Sequence, residues 1–345
     1  MGAHTARTVR MPAEWSRHEG CLMAWPYRSE LWGDQLAAAQ QEYATVARAV
    51  AEFEPVLMVT APGTAADVRP YFTGEPTAHS VEVVELPLDD SWTRDSGPIF
   101  VYDESGRRLG ADFRFNAWGS KHWPYADDDR LAALVLDRLG VEPLHSGMVL
   151  EGGAITVDGE GTLITTEQCL LHPNRNPRFD RAGIEAELAR MLGIEKVIWL
   201  PYGGLEDTET DGHVDGVAAY IAPGRVVVSL PDDENHPDYA RMRANLAVLE
   251  ATRDARGRKL DIVVLPQTAY GNAHGRSVEV GYLNFYLPNG GCVVPVAGAP
   301  QDAEAVEVLA KAMPERKVVP VVTPTLAFGG GGVHCITQQI PSERQ

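Results

Sequence analysis

Apolar residues recur at three- and four-residue steps along Asp34 to Glu54, where Leu36, Ala39, Tyr43, Val46 and Val50 share one helical face. The same spacing predicts helices over Asp180 to Leu192, Tyr239 to Arg256 and Asp302 to Met313. Between them run short β-rich stretches broken by turn residues: Val56 to Thr60, Val81 to Leu86, Val197 to Leu200 and Asp261 to Leu265. Helix and strand patterns alternate throughout, and no Ser-, Pro- or charge-rich linker interrupts them. The expectation is an α/β protein with a single domain over residues 1–345.

A second pattern lies over the first. Apolar segments followed by turn chemistry stand at Ile99 to Tyr102 before Asp103, at Ile155 to Val157 before Asp158, at Val217 to Ile221 before Pro223, and at Leu283 to Leu287 before Pro288. Each reads as the start of a β-hairpin, and they recur at intervals of about 60 residues, mostly with one helix and one further strand between. Such a unit suggests radial or solenoid repetition. Four positions before each hairpin stands an acid or a base: Asp95, Glu151, His213 and Glu279. Units arranged about an axis would bring these groups together from equivalent strand ends.

Composition narrows the partners. Forty-eight Asp and Glu against 30 Lys and Arg give a net charge of −18, which repels phosphate backbones and anionic lipid and favours small cations. Neither nucleic acid nor a membrane is expected as a partner. Nowhere do eighteen apolar residues run together, and Met1 to Arg7 is followed by no apolar leader segment. Cys21, Cys169, Cys292 and Cys335 are widely spaced and suggest neither a disulfide framework nor a thiolate zinc site. A reducing, cytoplasmic location fits this usage.

The sharpest local signal is Gly329 to Gly332, followed by Val333, His334 and Cys335. Four consecutive glycines lose backbone entropy on folding and bury nothing, so they are kept where backbone must approach something closely. A cysteine beside them, in polar company, reads as a nucleophile, whereas the other three read as small buried hydrophobes. On a strand His334 would face away from Cys335, so its base must come from elsewhere. His213 and Asp215, in Asp211-Gly-His-Val-Asp, would share a strand face, and imidazole titrates in the range that acid–base catalysis needs. A His-x-Asp pair can also ligate a metal, but no third His or Cys stands at matching spacing, so no metal is expected. Asp95 and Glu151 each precede a strand beside small residues. With Asp215 they would repel one another unless a cation lay between them, and a guanidinium offers a planar fork of donors for that place. Trp92 and Trp118 read either as core or as aromatics covering a cation.

The blocks Met11 to Gly20 with Ala24-Trp-Pro, Trp92 to Pro98, Phe113 to Gly119, Leu150 to Gly153, Thr210 to Asp215, Asn284 to Tyr286 with Asn289-Gly, and the closing Gly-Gly-Val-His-Cys-Ile-Thr-Gln-Gln resemble agmatine deiminases over nearly the whole chain. The resemblance implies a five-bladed pseudosymmetric α/β-propeller of the guanidino-modifying superfamily, needing neither metal nor organic cofactor. It implies hydrolysis of agmatine to N-carbamoylputrescine and ammonia, with Cys335 as nucleophile, His213 as general acid and base, and Asp95, Glu151 and Asp215 around them. Trp92, Trp118, Gly331 of the glycine run and Glu209, the last facing a distal amine, complete the expected substrate site. Members are often dimers or larger, so a homodimer is the implied assembly.

Four features depart from the family pattern: Gly216 after Asp215, Gly281 before Tyr282, Glu279, and the segment Thr323 to Phe328. They bear on recognition of the far end of the substrate. The rival readings are deimination of another guanidine, such as arginine or peptidyl-arginine, and a non-catalytic polyamine binder on the same scaffold.

Overall fold

The computed structural model describes residues 8–74, 76–266, 269–273 and 275–343, so the stretch Met1 to Arg7 lies outside it. The described strands form six sheets. Four of these share one plan: an antiparallel pair, a helix, and a strand returning parallel to the second member of the pair. Ile99–Asp103 and Arg108–Arg114 are followed by helix Asp128–Leu139 and strand Pro143–Val149. Thr156–Val157 and Thr162–Thr166 are followed by Arg181–Leu192 and Lys196–Leu200. Ala218–Ala222 and Arg225–Leu230 are followed by Tyr239–Ala251 and Asp261–Pro266. In the fourth, the chain ends meet: Gln338–Pro341 pairs antiparallel with His18–Ala24, and Leu36–Ala51 leads to Val56–Thr60 and Val81–Glu85. The protein is a mixed α/β fold.

Local chemistry explains the hairpins. Asp103 Oδ1 accepts from the backbone N–H of Ser105 and Arg107, at 2.9 and 3.1 Å, and Asp158 Oδ1 accepts from Glu160 and Thr162 at 2.8 and 2.9 Å. Gly106 and Gly159 supply the left-handed residues, with φ of 85° and 73°. The helices are bounded as their flanks suggest: Asp180 caps Arg181–Leu192 by accepting from Gly183 N–H, and left-handed Gly193 ends it.

The expected fourth hairpin is reduced at Leu283 to Leu287 to a single antiparallel bridge, Tyr286 with Val293, across the turn at Pro288. That segment is buried on both sides, begins in a turn closed by Asn284 N–H to Gly281 carbonyl, and touches a sheet only through the bridge from Tyr286 to Val293. A continuous apolar run has the same signature in a core loop as in a buried strand. Strand Gly291–Val296, helix Asp302–Ala312 and parallel strand Lys317–Val322 complete that unit. A separate hairpin, Ala269–Ala273 with Arg276–Val280, carries Glu279 on its second strand. Among the described residues no helix is long and apolar enough to cross a membrane.

Candidate functional site

Of the groups predicted to converge, Glu151 lies within 4.8 Å of His213, and Asp95 and His213 meet, together with Asp215, beside Gly153. A Cβ built there would stand 2.5 Å from His213 Nδ1 and 3.0 Å from both Asp215 Oδ2 and Asp95 Oδ1. Asp95 lies in the short helix Thr93–Ser96, which is tied to the C-terminal turn by Arg94 N–H to Cys335 carbonyl and by Thr93 Oγ1 to Ile336 carbonyl. Its carboxylate accepts from Gly153 N–H and from Trp118 Nε1–H, both at 2.9 Å. Trp118 is thus more than a lid, for it aims Asp95. The loop that presents it is held in left-handed backbone at Ala117, Trp118 and Ser120, an arrangement costly for residues with side chains and typical of functional loops.

His213 and Asp215 are not on a strand. They open and occupy the 3₁₀ turn Val214–Gly216, which still brings both to the same centre. Cys335 likewise sits in a turn, its thiol donating toward Asn284 Oδ1 at 3.4 Å and Asp215 Oδ2 at 3.6 Å. His334 reaches Asp215 Oδ2 with Nδ1 at 2.9 Å and Glu14 Oε2 with Nε2 at 3.0 Å, so it is not a base for the thiol. Glu151, fully buried, is paired with the guanidinium of Arg175, which also binds Asp211 and the carbonyl of Thr210. Glu279 lines an opening of about 540 Å³ together with His213, Asp215 and Cys335.

The glycine run does what close approach demands. A Cβ at Gly331 would lie 2.5 Å from the Trp92 ring and 3.1 Å from Cys335 Cβ, and one at Gly332 would lie 2.6 Å from Asn284 Oδ1. Trp92 stacks on Trp32 at 6.0 Å. Together with Trp118, Asp95, Asp90, Glu209 and Cys335 these rings line a cavity of about 290 Å³. Glu209 stands at its exposed rim and pairs with His122 at 2.9 Å. Lys121 donates to the carbonyls of Thr208 and Glu209 and pairs with Asp211, joining the two loops of the mouth.

Electrostatics follow from burial beside like charges. Burial, with the carboxylates of Asp215 and Asp95, pushes the Cys335 thiol well above its ordinary range. Burial also raises Asp95, against the pull of His213. Burial works against charge on His213, yet Asp95, then Cys169 and Glu151, overcome it and hold the imidazole well above its usual value. Asp215 stays low because the bond and charge of His334 outweigh its desolvation. Burial lifts Asp90 to about 6. The cavity therefore holds a neutral thiol among acids, a setting that a bound cation would reverse.

Among the described residues, one group has metal-ligand geometry: atoms of Glu151, Cys169 and His213 lie within 4.8 Å of one another. Arg175 already supplies the positive charge that Glu151 needs, which weakens the case for an ion there. Glu151 Oε2 and His213 Nε2, both buried, have no hydrogen-bond partner among the described residues. Sequence reasoning did not single out Arg175, Asp90, Glu14 or a role for Asn284. An Asn-Arg-Asn run and the paired acids Asp89-Asp90 ahead of Trp92 were the available signals.

A mixed α/β fold that gathers a buried thiol, an imidazole and several carboxylates where two adjoining openings meet at Cys335 defines the class. Residues 10–341 match the family model of Porphyromonas-type peptidyl-arginine deiminase, and the chain belongs to that family. It is 42% identical to the agmatine deiminase of Stutzerimonas stutzeri (strain A1501), over 96% of this chain and 95% of the relative. Identity to that of Pseudomonas aeruginosa (strain LESB58) is also 42%, over 97% and 96%. The solved agmatine deiminase of Enterococcus faecalis superposes with a TM-score of 0.91 at 34% identity, covering 98% of this chain and 97% of that one.

Proposed function

We propose that this protein hydrolyses agmatine to N-carbamoylputrescine and ammonia through a covalent amidino-cysteine. The observation that carries the reading is the acid-lined cavity that ends on Cys335, in a chain 42% identical to agmatine deiminases. A guanidinium seated between Asp95 and Asp215 neutralises the carboxylates that hold the thiol protonated, so Cys335 releases its proton to solvent and attacks the guanidinium carbon. His213, already cationic, gives its proton to the departing nitrogen; ammonia leaves and an amidino-thioether remains. Neutral His213 then takes a proton from water, whose oxygen adds to the same carbon. The adduct collapses: the C–S electron pair returns to sulfur, the hydroxyl proton passes to the thiolate, and the ureido product departs. Glu151, braced by Arg175, steadies the imidazolium.

The substrate chain runs between Trp92 and Trp118 past Gly331, and Glu209 meets its terminal amine. The reaction asks for no metal or organic cofactor. Four units of one plan and a fifth whose first strand is reduced to one bridge, joined by the pairing of Gln338–Pro341 with His18–Ala24, support reading residues 1–345 as one five-bladed α/β-propeller domain. Four unpaired cysteines fit a cytoplasmic enzyme, and a homodimer is its expected form.

The test is ammonia and ureido-product formation from agmatine, arginine, a peptidyl-arginine ester and other guanidines, with chelator present. Agmatine should be the preferred substrate, and Cys335→Ala should abolish turnover with the fold intact. Turnover of a different guanidine alone would reject the substrate, and an active Cys335→Ala protein would reject the covalent route.

A further inference from the structure

We propose that His334, the neighbour of Cys335, is a positioning residue held as an imidazolium between Glu14 and Asp215, where its fixed charge keeps Asp215 ionised and turned toward the guanidinium. The inference rests on the deiminase reading above. Its ground is a count of protons. Nδ1 lies 2.9 Å from Asp215 Oδ2 and Nε2 lies 3.0 Å from Glu14 Oε2. An ionised carboxylate only accepts, so each ring nitrogen must carry a hydrogen, and a ring with two is a cation.

The alternatives are a neutral ring beside a protonated Asp215 or a protonated Glu14; Asp215 Oδ2 already receives the Cys335 thiol at 3.6 Å, and the surroundings of Glu14 oppose the second. Its Oε1 accepts from Leu287 N–H at 2.9 Å, and the Arg94 guanidinium stands 3.9 Å from Oε2. Against its burial, the charge and bond of His334 lower that carboxyl most, and Arg94 and the Leu287 N–H lower it further. The charged groups facing His334 are then Glu14 from the segment before strand His18–Ala24, Asp215 from the 3₁₀ turn, and Arg94 from the short helix. Asp95 and His213 lie beyond Asp215. Burial and Arg94 oppose the charge on His334, while Glu14 and Asp215 favour it and prevail. The backbone beneath the ring is fixed as well, since His334 N–H donates to the carbonyl and the Oδ1 of Asn284 at 2.9 and 3.0 Å, and the ring itself is held at both nitrogens by Asp215 and Glu14.

The consequence falls on substrate binding. Asp95 and Asp215 both approach within 3.0 Å of the position a Gly153 Cβ would take, and two buried carboxylates that close retain a proton between them unless cations compensate. His334 is the compensation behind Asp215, as Trp118 and Gly153 are the donors on Asp95. Glu14, from the other end of the chain, anchors it. Without the charge of His334, Asp215 takes up a proton at higher pH and loses its grip on the guanidinium.

Two measurements on the full chain test this. With 15N-histidine labelling, the His334 ring, assigned by comparison with His334→Gln, should carry protons on both nitrogens at about pH 8, where an ordinary imidazole near 6.5 is neutral. In His334→Gln, which keeps a donor but not the charge, KM for agmatine should rise about tenfold or more near pH 6, the order a charged hydrogen bond is worth. kcat should change far less, the acid limb of kcat/KM should move to higher pH, and the defect should shrink as pH rises. Glu14→Gln should shift the same limb in the same direction by less. A neutral His334 at neutral pH, or a folded His334→Gln protein with wild-type KM and acid limb, overturns the proposal. If that variant does not fold, the spectrum of the wild-type protein decides. Failure of the wild-type protein to act on any guanidine would instead reject the deiminase reading, and the ring's protonation would still be measured.

Discussion

Replacing Gly153 by alanine adds one methyl group where three functional side chains meet. Gly153 does not occupy left-handed backbone, so the substitution tests crowding rather than backbone strain. The new carbon would lie 2.5 Å from His213 Nδ1, against an ordinary contact of 3.4 Å or more, so the imidazole must retreat by about 0.9 Å. Asp95 and Asp215 must each give way by about 0.4 Å. A displacement near 1 Å in a reacting constellation costs on the order of 100-fold in rate, or about 2.7 kcal/mol of transition-state stabilisation. Overpacking a tight site costs roughly 1–3 kcal/mol of stability as well. The assay is kcat/KM for ammonia release from agmatine, with thermal melting alongside to separate the two effects. Gly147→Ala is the control, since a Cβ there meets nothing within 4 Å. Wild-type kcat/KM in a folded Gly153→Ala protein would refute the idea that Asp95, His213 and Asp215 work as one unit.

Three further outcomes are expected. Ultraviolet titration of the unliganded protein, taken as the difference from Cys335→Ala, should place thiolate formation above the usual thiol value of about 8.5, and an uncleaved guanidinium should lower it; a thiolate already present at neutral pH would contradict substrate-assisted ionisation. Arg175→Gln strands Glu151 in a fully buried position, so urea denaturation should show a loss of about 3–5 kcal/mol, and an unchanged midpoint would dismiss that brace. Glu209→Gln should raise KM for agmatine by up to about tenfold with little change in kcat, as suits a rim carboxylate facing an amine; equal KM values would remove Glu209 from recognition.

Much of the site was legible because it is periodic. Asp95, Glu151 and His213 precede three real hairpins, and the repeat carries them to one place. Periodicity was least regular at the fourth unit, where Leu283 to Leu287 keeps one antiparallel bridge to its strand and Glu279 rides a different hairpin. There the inward group is Asn284, an amide that receives the N–H of His334 and the thiol of Cys335. Its neutrality suits a position beside a thiol that acids already hold protonated.

The amino-acid sequence by itself determined the order of helices and strands, the turns at Asp103 and Asp158, the acidic balance and the reason for four glycines beside Cys335, because each rests on propensity, charge or spacing within a few residues. Only the tertiary structure decided which charges compensate which. Glu14, Arg94, Asp215 and His334 come from four separate stretches of chain, and Arg175 reaches Glu151 from a fifth. Pairing between buried charges depends on distance and desolvation, and neither exists until the chain has closed upon itself.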